Sequence, residues 1–256
     1  MFDPEVVGCF RDLARQESFW LDLAPSMLDR ALSKQARTIT IDLDLVSLMD
    51  FARLFSHIID FRSRFTATHS SGVAAIAEAL AGLVGMSRAE GQLLRVAGYL
   101  HDLGKLAIPR EILEKPAALT RSEYDLVRSH TFYTYRILET VKGLETLAAW
   151  AAYHHERLDG TGYPFHCTDD ELSIHARIMA VADVFTAIKD DRPYRVGLDK
   201  DSASRLLTKM AKEGGLDQRL VDLLLENQEQ LDSVRSIAQA TAANACQAFW
   251  LQLAAI

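Results

Sequence analysis

Histidine and aspartate stand side by side at the end of one apolar segment, in the stretch GYLHDLGKLAIP that spans residues 98–109. His101 and Asp102 follow a run of core-type residues, and Lys105 comes about one helical turn later. Imidazole and carboxylate groups bind Fe, Mn, Zn or Ni, whereas an ammonium group can bind a phosphate oxygen or protonate a leaving group. The stretch therefore predicts part of a metal site with a cation on its substrate side.

More polar residues of the same two types lie where other apolar segments begin, end or face the interior. Taken singly, each could be an ordinary surface residue or a buried residue whose hydrogen bonds are all made. Taken together, they predict a shared metal cluster, because a bound cation removes the cost of burying each group without a partner. These further candidates are His69, His130, His154, His155 and Asp183.

The adjacent pairs predict how the ligands divide between metals. Neighbouring side chains on a helix diverge by about 100°, so His101 and Asp102 can flank two ions with the carboxylate bridging them. His154 and His155 can bind one ion together only where their helix frays, and a Gly-rich loop begins soon after them. The remaining histidines have no such candidate ligands near them in the sequence, and we expect no metal role for His57, His166 and His175.

Helical periodicity covers almost the whole chain, which predicts an all-α fold. Two capping boxes are predicted at helix starts, Ser87 with Glu90 and Thr120 with Glu123. Gly104 is expected to end the preceding helix in a left-handed conformation. Only TITIDLDL, residues 38–45, alternates like a strand, and one strand cannot form a sheet, so we interpret it as an extended linker.

Composition and charge limit the classes of partner. The 256 residues are 49 % hydrophobic and 25 % charged, with a net charge of −7, which argues against a polyanion-binding surface but not against a small anionic ligand. The N-terminus lacks a secretory signal pattern, and four amide side chains interrupt the apolar C-terminal tail, so no membrane span is predicted. Three widely separated cysteines are typical of reduced thiols. We therefore expect a cytoplasmic protein.

The order of the candidate residues, H…HD…H…HH…D, resembles the HD superfamily of metal-dependent phosphohydrolases. The segments HHERLDGTGYP and RPYR resemble its HD-GYP subfamily, and the resemblance covers residues 45–230. It implies an HD-domain helical bundle around a buried metal centre. Outside it we expect residues 1–44 to form an N-terminal helical segment and residues 231–256 a C-terminal helix. The resemblance also implies hydrolysis of the bacterial second messenger cyclic di-GMP to pGpG and on to GMP. From the net charge we expect no nucleic-acid polymer as partner. A second copy or another signalling protein as partner stays open.

The resemblance assigns roles residue by residue. It implies that two divalent ions, iron or manganese, are held by His69, His101, Asp102, His130, His154, His155 and Asp183. It gives catalytic roles to Lys105 and Asp102, and it gives substrate contacts to Tyr163, Arg192 and Arg195. Two ions rather than three are expected because Phe65 stands four residues before His69, where some members of the family carry a glutamate.

Departures from the family pattern leave the substrate open. The family usually has a second Asp three residues after the metal-binding one, and here that position is Thr186, which we expect on the substrate side with weakened guanine selectivity. Three functions therefore compete: a cyclic di-GMP phosphodiesterase, an HD hydrolase of another nucleotide such as a cyclic GMP-AMP or a guanosine polyphosphate, and a metal-bound effector or scaffold with little turnover.

Overall fold

The computed structural model describes residues 8–9, 42–61, 68–191 and 196–254, and the regular structure in the last three ranges is helical. The helices are α1 (Leu45–Phe61), α2 (His69–Val84), α3 (Arg88–Leu100), α4 (Arg110–Leu113), α5 (Arg121–Arg128), α6 (His130–Leu138), α7 (Glu145–Ala152), α8 (Ile174–Lys189), α9 (Lys200–Lys212), α10 (Gln218–Glu226) and α11 (Gln228–Ala254). Short 3₁₀ helices span Leu103–Ala107, Tyr153–His155 and Asp169–Glu171. Between the described residues the only β contact is an isolated bridge, so the predicted all-α class is confirmed.

The chain divides into two units, residues 1–43 and residues 44–256. The predicted boundary at residue 231 falls inside α11, which begins at Gln228. Most of the predicted linker TITIDLDL lies outside the described residues, and its end, residues 42–44, is non-helical before α1 begins at Leu45. Among the described helices we find none with both the length and the hydrophobicity that a membrane span requires.

Helix α2 lies at the centre of the larger unit and packs on α3, α8 and α11. Its side chains are buried on every side from His69 to Ala77, which fits its run of small apolar residues. Close packing with α3 depends on Gly98, because a β-carbon there would lie 2.5 Å from the Cα of Ala74. These contacts fix the start of α2 beside the end of α3, where His69 and His101 stand.

Both predicted capping boxes are present, at Ser87–Glu90 and Thr120–Glu123. The prediction for Gly104 is wrong, because α3 ends before it and Gly104 lies inside the 3₁₀ helix Leu103–Ala107 without a positive φ. Its absent side chain serves packing instead, since a β-carbon would overlap the carbonyl oxygen of His130 at the start of α6.

Candidate metal centre

Seven side chains from five segments meet inside the bundle, and we call them the His-Asp cluster. They come from the start of α2, the end of α3, the start of α6, the 3₁₀ helix after α7, and the middle of α8. All are buried except His155, which is partly exposed. The members are His69, His101, Asp102, His130, His154, His155 and Asp183.

One half of the cluster surrounds Asp183. Its Oδ1 lies 3.0 Å from His69 Nε2 and 3.8 Å from His101 Nε2. Ligand atoms of these three residues all lie within 4.8 Å of one another, which is close enough to share one ion. The other half joins His130, His154 and His155 within the same limit.

Asp102 connects the two halves. Its Oδ2 lies 3.2 Å from His101 Nε2, and its Oδ1 lies 3.3 Å from His130 Nε2. The two oxygens of one carboxylate therefore face different halves of the cluster. This geometry would suit a ligand that bridges two ions, which is the role that the sequence analysis expects for Asp102.

Backbone carbonyls set the tautomer of three histidines. The Nδ1 atoms of His101, His130 and His154 lie 2.8, 2.6 and 2.7 Å from the carbonyl oxygens of Gly98, Val127 and Ala151, each three residues earlier. Because a carbonyl only accepts hydrogen bonds, each Nδ1 carries a proton, and Nε2 is the atom of each ring that can offer a lone pair to a metal. Metal-binding histidines are held by the same kind of outer hydrogen bond.

The lone pairs of His130 and His154 provide a test of whether a metal fits here. Their Nε2 atoms lie 3.4 Å apart. Burial lowers the pKa of His130 to about 3 and, with the neighbouring imidazoles, takes the pKa of His154 well below its usual value, so both rings are neutral. Two facing lone pairs repel each other unless a cation lies between them. The residues present therefore fit a divalent metal ion.

The carboxylates of the cluster are held in the ionised form that metals bind. Burial alone would raise the pKa of Asp102, but the charges of His101 and Lys105 hold it well below its usual range. The pKa of Asp183 is lowered despite burial by the hydrogen bond from His69. For His69 itself, burial opposes the charge, yet its contacts with Asp183 and Asp190 raise its pKa to about 10. A divalent ion would replace that proton as the partner of Asp183.

Lys105 and an aromatic–cation pair lie beside the cluster. The Nζ of Lys105 lies 2.6 Å from Asp102 Oδ2, and the side chain is 21 % exposed. The Tyr163 ring centre lies 5.0 Å from that of His155, and the Arg128 guanidinium lies 4.3 Å from the Tyr163 ring centre. Sequence reasoning missed Arg128, although its position two residues before His130 could have suggested it.

The family model for the HD domain matches residues 53–220, which include the whole His-Asp cluster. The chain belongs to the HD-domain family. Its Gly162-Tyr163-Pro164 segment places it in the HD-GYP subfamily, as predicted from the sequence.

Relatives of this HD domain carry names of two substrate classes. The chain is 31 % identical over 232 residues to the 3′3′-cGAMP-specific phosphodiesterase 1 of Vibrio cholerae, covering 90 % of this chain and 54 % of that protein. It is 34 % identical over 211 residues to the cyclic di-GMP phosphodiesterase PA4108 of Pseudomonas aeruginosa, covering 82 % of this chain and 48 % of that protein. The chain thus spans about half the length of these relatives.

A solved structure supports the fold alone. Bd1817, an HDG"Y"P protein from Bdellovibrio bacteriovorus, aligns with 73 % of this chain and 65 % of its own at a TM-score of 0.54 and 16 % identity. At this identity the likeness confirms the HD bundle and carries no information about substrate.

The Gly-Tyr-Pro loop of this HD domain is anchored by Glu156, which sequence reasoning also missed. The buried Glu156 carboxylate accepts hydrogen bonds from the backbone N–H groups of Phe165 (2.7 Å) and Cys167 (3.1 Å). Gly162 lies against the backbone of Glu156 and Arg157, where a β-carbon would overlap both. The glycine and the buried glutamate together hold Tyr163 beside His155.

The expectation for Thr186 needs correction. Its side chain is fully buried, and its methyl group lies 2.9 Å from where a β-carbon on Gly72 would stand. Because Thr186 is buried beside Gly72, its position does not fit the expected contact with a substrate base or the weakened guanine selectivity that depended on it. Asp183 and Thr186 do lie on the same side of α8, one turn apart. Thr186, however, lies next to Gly72 and close to α11.

Three further expectations fall outside the described residues. They concern the substrate contacts of Arg192 and Arg195 and the argument from Phe65 to two metals. Asp60, a carboxylate on α1 that precedes Phe65 in the chain, is described: it is buried, accepts a 2.8 Å hydrogen bond from Ser70, and burial raises its pKa to about 7.

Proposed function

We propose that this HD domain is a metal-dependent phosphodiesterase that opens a guanine-containing cyclic dinucleotide at a 3′-5′ phosphodiester. The observation that carries the proposal is the pair of ligand sets on either side of Asp102, with unprotonated imidazole nitrogens turned toward each other. Without a cation between them, the facing lone pairs of His130 and His154 would repel each other. Names of the relatives support the substrate class.

The proposed ligands divide between two divalent ions, iron or manganese. His69, His101, Asp102 and Asp183 would hold one ion, and Asp102, His130, His154 and His155 would hold the other. When bound, the pair would supply Lewis-acid polarisation of the phosphodiester and favour in-line displacement at phosphorus. The protein contributes a fixed orientation of three of these ligands, His101, His130 and His154, through their hydrogen bonds to backbone carbonyls.

Lys105 and Arg128 are the cations we place on the substrate side. Lys105 reaches Asp102 from a partly exposed position, so its ammonium can bind a phosphate oxygen or donate a proton to the leaving 3′ oxygen. Arg128 lies over Tyr163, and its buried Nε has no hydrogen-bond partner among the described residues. A planar guanidinium with free donors suits a phosphate oxygen or the edge of a guanine.

The choice between cyclic di-GMP and 3′3′-cGAMP is tested with a panel of nucleotides. Protein reconstituted anaerobically with iron or manganese is incubated with each dinucleotide, with cyclic di-AMP and with a guanosine polyphosphate, and products are separated by chromatography. We expect linear dinucleotide from at least one guanine-containing ring and faster turnover of one of the two. Tight binding without product over hours would instead support the effector function.

Replacing Lys105 with methionine is expected to keep both metal ions and to lower kcat by roughly 10²–10⁴-fold, the usual contribution of a positioned proton donor. Methionine preserves most of the side-chain volume and removes the charge. The measurement is kcat together with metal content, and Lys142→Met, at an exposed position, is the matched control. A wild-type kcat in the Lys105 variant would exclude the role.

Replacing Arg128 with methionine is expected to raise KM while both metals stay bound. Charge-assisted hydrogen bonds to phosphate are worth roughly 1.5–3 kcal/mol, which corresponds to a change of about 10–150-fold. The control is Arg121→Met, at an exposed position on the same helix α5. If KM is the same in both variants, Arg128 does not contact the substrate.

A further inference from the structure

A second carboxylate holds the outer side of His69. The Oδ2 of Asp190 lies 2.9 Å from His69 Nδ1, while His69 Nε2 faces Asp183 inside the cluster. Asp190 follows α8 directly and is separated from His69 by 121 positions in the chain. The arrangement places a proton on Nδ1 and turns Nε2 toward the centre, which is the role that backbone carbonyls have for three other histidines.

Asp190 is itself held by the last helix. Gln239 Nε2 donates a 2.8 Å hydrogen bond to Asp190 Oδ1, and Arg235 lies 3.2 Å from the same oxygen. Arg235 also donates to Gln239 Oε1 at 2.5 Å, and it pairs with Asp232 at 2.8 Å. Arg235 is only 8 % exposed, so this network is largely shielded from water.

Gly72 allows α11 to come this close. A β-carbon on Gly72 would lie 3.0 Å from Gln239 Nε2 and 3.2 Å from Arg235 Cγ. The glycine stands one turn after His69 on the same helix. The absence of a side chain there lets the amide and the guanidinium reach past α2 to Asp190.

We propose that Asp190, Gln239 and Arg235 form a positioning network through which α11 orients His69 for its metal ion. The inference rests on the proposed metal centre and extends it to residues beyond 53–220, the range of the HD family match. Asp190 is a positioning residue, because it acts through His69 and touches no reacting atom. The network makes the affinity of one metal site depend on the C-terminal helix.

The test compares metal binding in the full chain and its variants, using Mn²⁺ alone as the probe and electron paramagnetic resonance to measure the free ion. Asp190→Asn keeps the shape and removes the charge, and Gln239→Leu removes the hydrogen bond that α11 donates to Asp190. We expect each variant to bind one Mn²⁺ as the wild type does and a second one roughly 10–100-fold more weakly. Gln247→Leu, an exposed change of the same kind on α11, should bind both normally.

A thermal unfolding curve of each metal-free variant separates positioning from a loss of fold. The proposal requires that Gln239→Leu weaken one site even when its unfolding midpoint matches that of Gln247→Leu. Two wild-type affinities in both variants would overturn the network while leaving the metal centre intact. If the wild type binds no Mn²⁺, the proposed metal centre itself is wrong. That result is distinguishable from wild-type affinities in both variants, which would contradict only the positioning network.

Discussion

Replacing Asp102 with asparagine is expected to remove detectable phosphodiesterase activity and to reduce metal content. The two Asp102 oxygens face His101 on one side and His130 on the other, at 3.2 and 3.3 Å. Asparagine keeps the shape, but it loses the charge and replaces one oxygen with an amide nitrogen that cannot bind a metal. Losing an outer partner of a ligand already costs roughly 10–100-fold in metal affinity, so losing the bridging ligand should cost more.

Metal content after dialysis and the initial rate are measured on the same sample of the Asp102 variant. The control is Asp170→Asn, an exposed carboxylate in the 3₁₀ helix Asp169–Glu171. We expect the control to match the wild type in both measurements. An Asp102 variant with both ions and a full rate would refute the bridging role.

Replacing Gly104 with alanine is expected to destabilise the fold by about 3 kcal/mol or more, the upper range for overpacking. The added methyl group would overlap the carbonyl oxygen of His130 and lie 2.7 Å from the backbone nitrogen of Thr134. Both are backbone atoms of α6, so no side chain can move aside. Thr134 also ties the two segments together, because its hydroxyl accepts from Gly104 N–H at 2.9 Å and donates to the His101 carbonyl at 3.0 Å.

The free energy of unfolding is measured in urea for the Gly104 variant and for Gly82→Ala. Gly82 is an exposed position within α2 with no atom within 4 Å of an added β-carbon. That control should be stabilised by roughly 0.5–1 kcal/mol, because alanine favours a helix interior. Equal effects at the two glycines would show that the contact between the 3₁₀ helix and α6 is not tight.

The candidate ligands could be proposed from the sequence because several of them are polar groups at the ends or in the middle of apolar helices. His101 and Asp102 end an apolar helix, and Asp183 interrupts one, so the sequence alone marks them as groups that need a partner. The capping boxes at Ser87 and Thr120 depend on residues three positions apart, so they too can be recognised locally. The role of Gly104 could not be predicted, because the atoms that leave no room for a side chain there belong to the backbone of another helix.

The residues that sequence reasoning missed act over long separations. Asp190 stands 121 positions from His69, and Gln239, which donates a hydrogen bond to Asp190, stands 49 positions further along. Helical periodicity does not say which face of α11 covers which part of α8. The expectation for Thr186 failed for the same reason. Its position one turn after Asp183 predicts the same side of the helix, but its burial depends on tertiary packing that the sequence does not show.

The most direct test of the account is the metal dependence of ring opening. Protein stripped with a chelator is given cyclic di-GMP or 3′3′-cGAMP, before and after anaerobic addition of Mn²⁺ or Fe²⁺, and the nucleotides are analysed by mass spectrometry. The account predicts a linear dinucleotide only after metal is restored, and none from the Asp102→Asn variant under the same conditions. Equal product from the stripped protein, or from the variant, would contradict a metal-dependent phosphodiesterase centred on Asp102.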